Sequence, residues 1–407
     1  MAIWNHACVL MLTTLLLGCH QKADVQQVEA DSTWEDLELR SRGSTVRMMM
    51  WDGDPLINAY MRDYVIRRLE EEHGIRLELV GGQGREIVNR LMVDLEAGRH
   101  DGDIDLVWIN GENFYQLRKL SALYGPFTDR LPNSEWIDWS NPFIAVDFQQ
   151  PVEGFECPWG NVQLALIYDA ERVLNPPQTL EELTRWIREN PGRFTFDHGF
   201  TGMTFLKSLL YQFAETPQSL HGAFSELTYS KASEKLWIWL RGIQPDLWRK
   251  GEVFPDGVAQ LHQLISQGQV DFSMSNNDGE VDNKVAQGIL PPSARAYVPA
   301  FGSIRNSHYL GIPWNSVNKT GAMVVCNLLI SPEAQLEKAR PSVWGDGTVL
   351  AGERLSGKWR ERFQSIEGRV RIASRDELES RALMEPAPEV MIRLHEDFRR
   401  KIIERSQ

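Results

Sequence analysis

Cysteine is scarce in this 407-residue chain: there are four, and Cys8 and Cys19 fall near its start. That leaves Cys157 and Cys326 as the body's thiols, too few for a disulfide framework, so two buried thiols are expected. Basic excess is missing too. A net charge of -13 excludes a general nucleic-acid binder, which carries a basic patch or stripe. It leaves neutral or cationic small partners open. No apolar run reaches the about 20 residues that span a bilayer. Also absent are a nucleophile elbow, a His-Glu-x-x-His zinc helix, paired metal-binding cysteines and a P-loop. Asp101-Gly102-Asp103-Ile104-Asp105 lacks the later ligands of a calcium loop. Gly81-Gly82-Gln83-Gly84 lacks the Gly-Lys-Ser/Thr ending of a phosphate loop and reads as a tight turn into a helix. The expectation is therefore a non-enzyme without cofactor or metal. A cell-envelope hydrolase of unrecognised motif is the rival class.

What is present begins with an apolar run from Cys8 to Gly18, the length of a signal-peptide core. Leu16-Leu17-Gly18-Cys19 has the form of a bacterial lipobox. It predicts a signal over residues 1–18, lipidation at Cys19 and a polar tether over residues 19–31. The first seven residues hold no Lys or Arg, so a plain signal peptide cut elsewhere is the alternative.

The length exceeds one ordinary core, so two lobes are expected. Ser32-Thr33-Trp34-Glu35 fits a capping box that opens a short helix. After it, strand and helix alternate three times: Val46 to Trp51, Ile75 to Val80 and Ile104 to Ile109 are apolar runs. Each is followed by helical spacing, as in a parallel α/β lobe. The third run ends at Asn110-Gly111, and such a strand end opens into a crevice. A second α/β unit follows a crossing near residues 155 to 162, with strands predicted at Gln163 to Tyr168, Arg193 to Phe196 and Val270 to Met274. Ser275 to Glu280 repeats the Asn110 to Asn113 pattern of short polar side chains and a glycine at a strand end. Phe301 to Asn306 reads as a turn before a strand at His308 to Ile312, and Pro388 to Arg405 as an amphipathic tail.

Several stretches together resemble a known family. They are Trp51-Asp52-Gly53-Asp54 with Ile57-Asn58-Ala59-Tyr60, then Asp105 to Phe114, Pro158-Trp159-Gly160 and Asn190 to Phe194. Tyr297-Val298-Pro299 and Leu329 to Gln335 follow in the same order. The chain resembles the extracytoplasmic solute-binding proteins of ABC importers, in the type II class of the maltose, thiamine, polyamine and iron binders. Within that class it is similar to the YnjB-type proteins. Asp52 departs from the small residue expected in its turn.

The resemblance implies a two-lobed periplasmic-binding-protein-like α/β fold, each lobe a mostly parallel sheet flanked by helices, with the cleft at the hinge. Lobe 1 would take residues 32–160 and 295–340, and lobe 2 residues 161–294 and 341–407. The partners implied are a small solute, an ABC permease and its ATPase, with membrane contact through a lipid anchor alone. The protein would act as a monomer. The candidate solute contacts are Trp51, Asp52, Asn110, Glu112, Asn113, Trp159, Asn276, Asn277, Asp278 and Trp314. Tryptophans would stack on the solute, asparagines would hydrogen-bond it, and Glu112 or Asp278 would offset positive charge. Acidic balance and 14 tryptophans point to a cationic or aromatic solute of thiamine type. A sugar or a polyamine is the alternative.

Overall fold

The computed structural model describes residues 31–366 and 369–404. The predicted signal, Cys19 and nearly all of the tether lie outside the described residues.

Thr33 caps α1 (Trp34–Ser41), accepting from the Asp36 N–H while the Asp36 carboxylate accepts from the Thr33 N–H. The expected capping box thus forms one residue later than Ser32 and Glu35 place it. β1 (Thr45–Met50) feeds α2 (Pro55–Ala59), whose helix continues through π turns to His73. Gly74 stops it in the left-handed region at φ 64°. β2 (Arg76–Gly81), α3 (Arg85–Glu96), β3 (Leu106–Ile109) and α4 (Glu112–Lys119) complete the alternation. β1 pairs in parallel with both β2 and β3. β3 and Met48 to Met50 of β1 are apolar as in a strand covered on both faces, whereas β2, at the sheet edge, keeps Arg76 exposed and Glu78 half-buried.

The aromatic, proline-rich stretch that follows holds short elements: β4 (Leu123–Tyr124), two 3-10 turns at Thr128–Arg130 and Pro132–Trp136, α5 (Pro142–Ala145) and the hairpin of β5 (Val146–Asp147) and β6 (Gln150–Pro151). β7 (Glu156–Gln163) is buried along its whole length and leads directly into β8 (Ala165–Asp169). β7 pairs in the first sheet and β8 in the three-stranded sheet, so the chain passes from one sheet to the other here.

Beyond it lie α6 (Leu180–Glu189), α7 (Phe200–Phe213), α8 (Glu226–Ile243), α9 (Val258–Ser266), β9 (Phe272–Ser275), α10 (Glu280–Ala286) and β10 (Ala294–Tyr297). This sheet runs β10-β8-β9, and both of its pairings are antiparallel. The parallel arrangement expected in both lobes therefore describes β1, β2 and β3, not lobe 2. Arg193 to Phe196 forms no ladder. Its carbonyls take isolated hydrogen bonds, Arg193 from the Asp271 N–H and Phe194 from the Trp248 N–H.

β11 (Ser303–Pro313) returns to the first sheet, antiparallel to β3 and β7. It begins inside the predicted turn, which shrinks to Phe301 and Gly302, where Gly302 takes φ 84°. α11 (Lys319–Leu329), α12 (Pro332–Ala339), α13 (Gly357–Gln364), α14 (Arg375–Glu379), β12 (Ala382–Leu383) and α15 (Pro388–Phe398) finish the chain.

The buried apolar residues mark the lobes. Two clusters line the faces of the first sheet, one with Val46, Met61 and Val324, the other with Val107, Phe114 and Tyr309. A third, with Leu166, Leu209, Phe272 and Leu394, is the core of lobe 2. Trp344, Val349, Leu350 and Leu355 pack in the first-sheet core, so the segment just after residue 340 belongs to lobe 1 rather than lobe 2. The tail from Ile372 onward packs in lobe 2. Cys157 and Cys326 are buried free thiols of the lobe 1 core.

One buried acid in β7 gives a measurable consequence. Both Glu156 carboxyl oxygens are buried and have no hydrogen-bond partner among the described residues. Burial, then the nearby Asp147 carboxyl, push its pKa well up. The folded chain keeps a proton that the unfolded chain releases above about pH 4.3, so this group costs stability as pH rises beyond that value. Glu156→Gln is expected to gain more than about 1 kcal/mol at pH 8 and to match the wild type near pH 4. Urea unfolding at the two pH values checks it; an offset that does not change with pH contradicts it.

Candidate functional site

Because β1, β2 and β3 run parallel, the loops at their carboxyl ends share one edge of lobe 1. These loops are Trp51 to Asp54, Gly82 to Gly84, and Asn110 with Gly111. Lobe 2 faces them with the loop after β9, the start of α7 and the helix α15. The lobes touch across this crevice. Asp54 uses Oδ1 to cap α2, accepting from the Leu56 and Ile57 N–H groups, and turns Oδ2 to Lys284 of α10 at 2.5 Å. Lys284 also lies 3.5 Å from Glu280. Burial alone would raise the Glu280 carboxyl, but His262, Lys284 and Ser275 hold it down at about 2. Next to this pair the Asn283 amide donates to the Trp344 carbonyl. On the other side Tyr115 of α4 donates to Glu389 of α15 at 2.7 Å.

Between these contacts lies a cluster of charge. Glu112, the first residue of α4, is half-buried, and its carboxyl has no hydrogen-bond or ion-pair partner among the described residues. Burial raises its pKa, against the pull of Lys207 and Arg85. The Gly111 N–H donates to Asp147, and the Phe148 ring occupies the space a Gly111 Cβ would need. Lys207, fully buried in α7, sits 4.3 Å from the centre of that ring and donates to Glu385 Oε2 at 2.5 Å. Glu385 also accepts from the Asn306 amide at 2.8 Å. Phe200 lies 5.5 Å from Lys207 on the other side and is 38% exposed. His395 of α15 keeps an exposed side chain, yet the protein packed around it, then the charges of Lys207, Arg85 and His198, push its pKa down to about 4. It is neutral at pH 7.

The residues singled out from the sequence divide into two sets. Asn110 is half-buried, its side chain has no partner among the described residues, and its carbonyl accepts from both the backbone and the amide of Asn113. Asn276 donates to Thr201 at 3.0 Å and keeps a buried, unpartnered Oδ1. These two and Glu112 have capacity to spare. Trp51 is half-buried at the rim, its ring over Gly53. Asp52 is exposed and helps line a side pocket of about 340 Å³ with Asn58, Arg62 and Leu79.

The other set is committed elsewhere. Asn277 caps the Gly279 N–H at 2.9 Å. Asp278 accepts from the Gln163 N–H at 3.0 Å and pairs with Arg369 and Arg375, binding the hinge strand to the chain's last third. Trp159 has 0% exposure, boxed in by Trp108, His308 and Trp344 at 4.9, 5.4 and 5.3 Å between ring centres. Trp314 follows β11, which is antiparallel to β3, so it lies at the sheet edge opposite the crevice, against His100. Neither tryptophan has a face to offer a solute here.

Sequence reading missed Asp54, Lys284, Lys207, Glu385, Arg85 and His395. Lys207 had a signal: a single cation among Phe205, Leu206, Leu209 and Leu210 on an apolar helix marks a buried charge that needs a partner. Among the described residues no group of three or more His, Cys, Asp or Glu is placed to hold a metal ion. No described helix is long and apolar enough to cross a membrane.

Two α/β lobes joined by β7 and β11, with spare polar groups in the crevice between them, define a two-lobed binding protein. The comparisons place it further. Residues 65–363 match the bacterial extracellular solute-binding protein family, and the chain belongs to that family. Protein YnjB of Escherichia coli (strain K12) is 36% identical over 338 residues, 82% of this chain and 87% of YnjB. Among solved structures, the periplasmic binding protein AfuA from Actinobacillus pleuropneumoniae, with exogenous fructose-6-phosphate bound, superposes at TM-score 0.61. It is 13% identical over 88% of this chain and 98% of its own. Iron-bound HitA from Pseudomonas aeruginosa gives 0.58 at 13% identity, covering 87% and 99%. The spermidine/putrescine substrate-binding protein PotD from Streptococcus pneumoniae gives 0.56 at 15%, covering 88% and 99%. At these identities the three attest the fold.

Proposed function

We propose that this chain is the substrate-binding component of an ABC importer. It takes a small solute into the interlobe crevice by hinge closure and hands it to a membrane permease driven by an ATPase. In this reading Cys19 carries the lipid that holds the protein at the periplasmic face of a bacterial membrane. The observation that carries it is the Glu112 carboxyl, unpartnered in a crevice that Asp54 and Lys284 close from the two sides. A partly desolvated carboxyl without a donor is a place for one to arrive. The solute therefore presents a cationic group to Glu112, with Asn110 and Asn276 as further hydrogen-bonding groups. Phe200 and Trp51 supply apolar faces that Trp159 and Trp314 do not. A thiamine-type solute, a ring-bearing cation with or without an acidic group, meets these demands. A polyamine would need a second free carboxylate, and Glu385 is already taken by Lys207 and Asn306.

Thermal unfolding tests this with a defined mixture of thiamine, amino acids, betaines, polyamines, sugars and sugar phosphates. A solute at a hundredfold excess over its Kd adds about 2.7 kcal/mol to the folded state and raises Tm. Glu112→Ala is expected to weaken binding at least tenfold, about 1.4 kcal/mol. A Tm rise of the same size in Glu112→Ala and Asn110→Ala contradicts the crevice as the site.

A further inference from the structure

We infer that the solute carries a positive and a negative group at once, on separate parts of the molecule. The inference rests on the crevice being the solute site, as proposed above, and adds what the whole charge inventory demands.

Arg85 opens α3 immediately after Gly84, and a Cβ on Gly84 would lie 3.6 Å from the Asn113 amide nitrogen. The starts of α3 and α4 are therefore neighbours, and Arg85 stands beside the loop that carries Glu112. The Arg85 guanidinium has no ion-pair or hydrogen-bond partner among the described residues and is exposed. So lobe 1 offers one unpaired anion and one unpaired cation side by side. Lobe 2 faces them with a pair already satisfied internally, Lys207 with Glu385, fully buried and nearly so. His395 adds an imidazole on α15, which packs on α4 through Tyr115 and Glu389. The remaining interlobe pair, Asp54 with Lys284, is also closed on itself.

Lys207 with Glu385 and Asp54 with Lys284 are neutralised within their pairs, and the two unpaired charges, Glu112 and Arg85, have opposite signs. A purely cationic solute would satisfy Glu112 but leave Arg85 facing added positive charge. A purely anionic one would satisfy Arg85 and press against Glu112. Uncompensated charge in a closing, partly desolvated crevice is costly in either case. A zwitterion compensates both. Its cationic end meets Glu112, its acidic end meets Arg85 with a hydrogen bond from His395, and its linker lies on Phe200. Separation of the charged ends sets which zwitterion fits, and a phosphate or a carboxylate serves equally as the acidic end.

The test incubates the mature chain with an equimolar mixture of γ-aminobutyrate, glycine betaine, thiamine monophosphate, thiamine, putrescine, maltose and glucose 6-phosphate. After rapid desalting, mass spectrometry identifies what is retained. The expected result is retention of one of the three zwitterions, reduced at least tenfold by Glu112→Gln and by Arg85→Gln. Arg85→Gln is expected to shift retention toward thiamine or putrescine, and Glu112→Gln toward glucose 6-phosphate. Preferred retention of thiamine, putrescine, maltose or glucose 6-phosphate by the wild type overturns the zwitterion and leaves the binding function standing. Zwitterion retention that neither variant alters overturns the placement at this cluster. Retention of nothing, with no rise in Tm, counts against both the zwitterion and the binding function.

Discussion

Asp346→Ala is expected to destabilise the chain by about 3–5 kcal/mol, the cost of removing one partner from a buried ion pair. Asp346 Oδ2 accepts from Lys338 at 2.5 Å and from His308 at 3.0 Å. Lys338 has 0% side-chain exposure and lies 5.4 Å from the Trp344 ring, and the His308 ring is stacked on Trp344. Without the carboxylate, a cation stays enclosed among indole rings with only carbonyl acceptors, the nearest at Gly347. Tm should fall on the order of 10 °C. Burial pushes the Asp346 carboxyl up, but the charges of His308 and Lys338 outweigh it and hold it at about 2. A carboxyl whose folded pKa is depressed contributes stability above its unfolded value of about 3.9 and loses it as pH falls through the folded one. Wild type and variant should therefore converge as pH drops from about 4 toward 2. A deficit that stays constant over that window contradicts the ion-pair account. This cluster joins β11, one of the strands that link the two sheets, to the loop after α12.

Asp54→Asn is expected to weaken solute binding at least tenfold while changing Tm little. Asparagine caps a helix about as well as aspartate, so the start of α2 survives. What is lost is the charge facing Lys284, across the lobes and 230 positions along the chain. Closed molecules become rarer, and apparent affinity falls with the fraction that is competent to bind. Lys284→Met removes the same bridge from lobe 2 and should act in the same direction. Opening frees Asp54 to water, which limits its cost to stability. Calorimetric titration measures the affinity. Full affinity in both variants contradicts a closing role for the pair.

Much of lobe 1 is legible in the sequence. Its strands are short apolar runs bounded by Asp-Gly, Gly-Gly and Asn-Gly, and its candidate loop, like the one after β9 in lobe 2, announces itself by asparagine and glycine at a strand end. Pairing direction in lobe 2 is not legible, because an apolar run looks alike in parallel and antiparallel surroundings. The α1 cap moved by one residue because Ser32, Thr33, Glu35 and Asp36 offer two registers of one signal. Trp159 sits on a strand buried along its whole length, so an aromatic expected to stack on the solute became core. Asp278 has a ligand's chemistry, but Arg369 and Arg375, which claim it, lie more than 90 positions away. Long-range charge pairing decides which polar groups remain free, and a single sequence does not display it.

The central claim is closure of the two lobes on a solute, and a distance between them tests it most directly. Val93 on α3 and Leu174 beyond β8 are 56% and 82% exposed, one on each lobe. Cys157 and Cys326 are buried at 0% and will not compete for thiol-reactive spin labels. Val93→Cys with Leu174→Cys, labelled and measured by pulsed dipolar spectroscopy, gives the interlobe distance distribution. The expected result is a longer component in the unliganded protein, enlarged by Asp54→Asn, that disappears when the retained solute is added. A distribution that bound solute leaves unchanged contradicts the account.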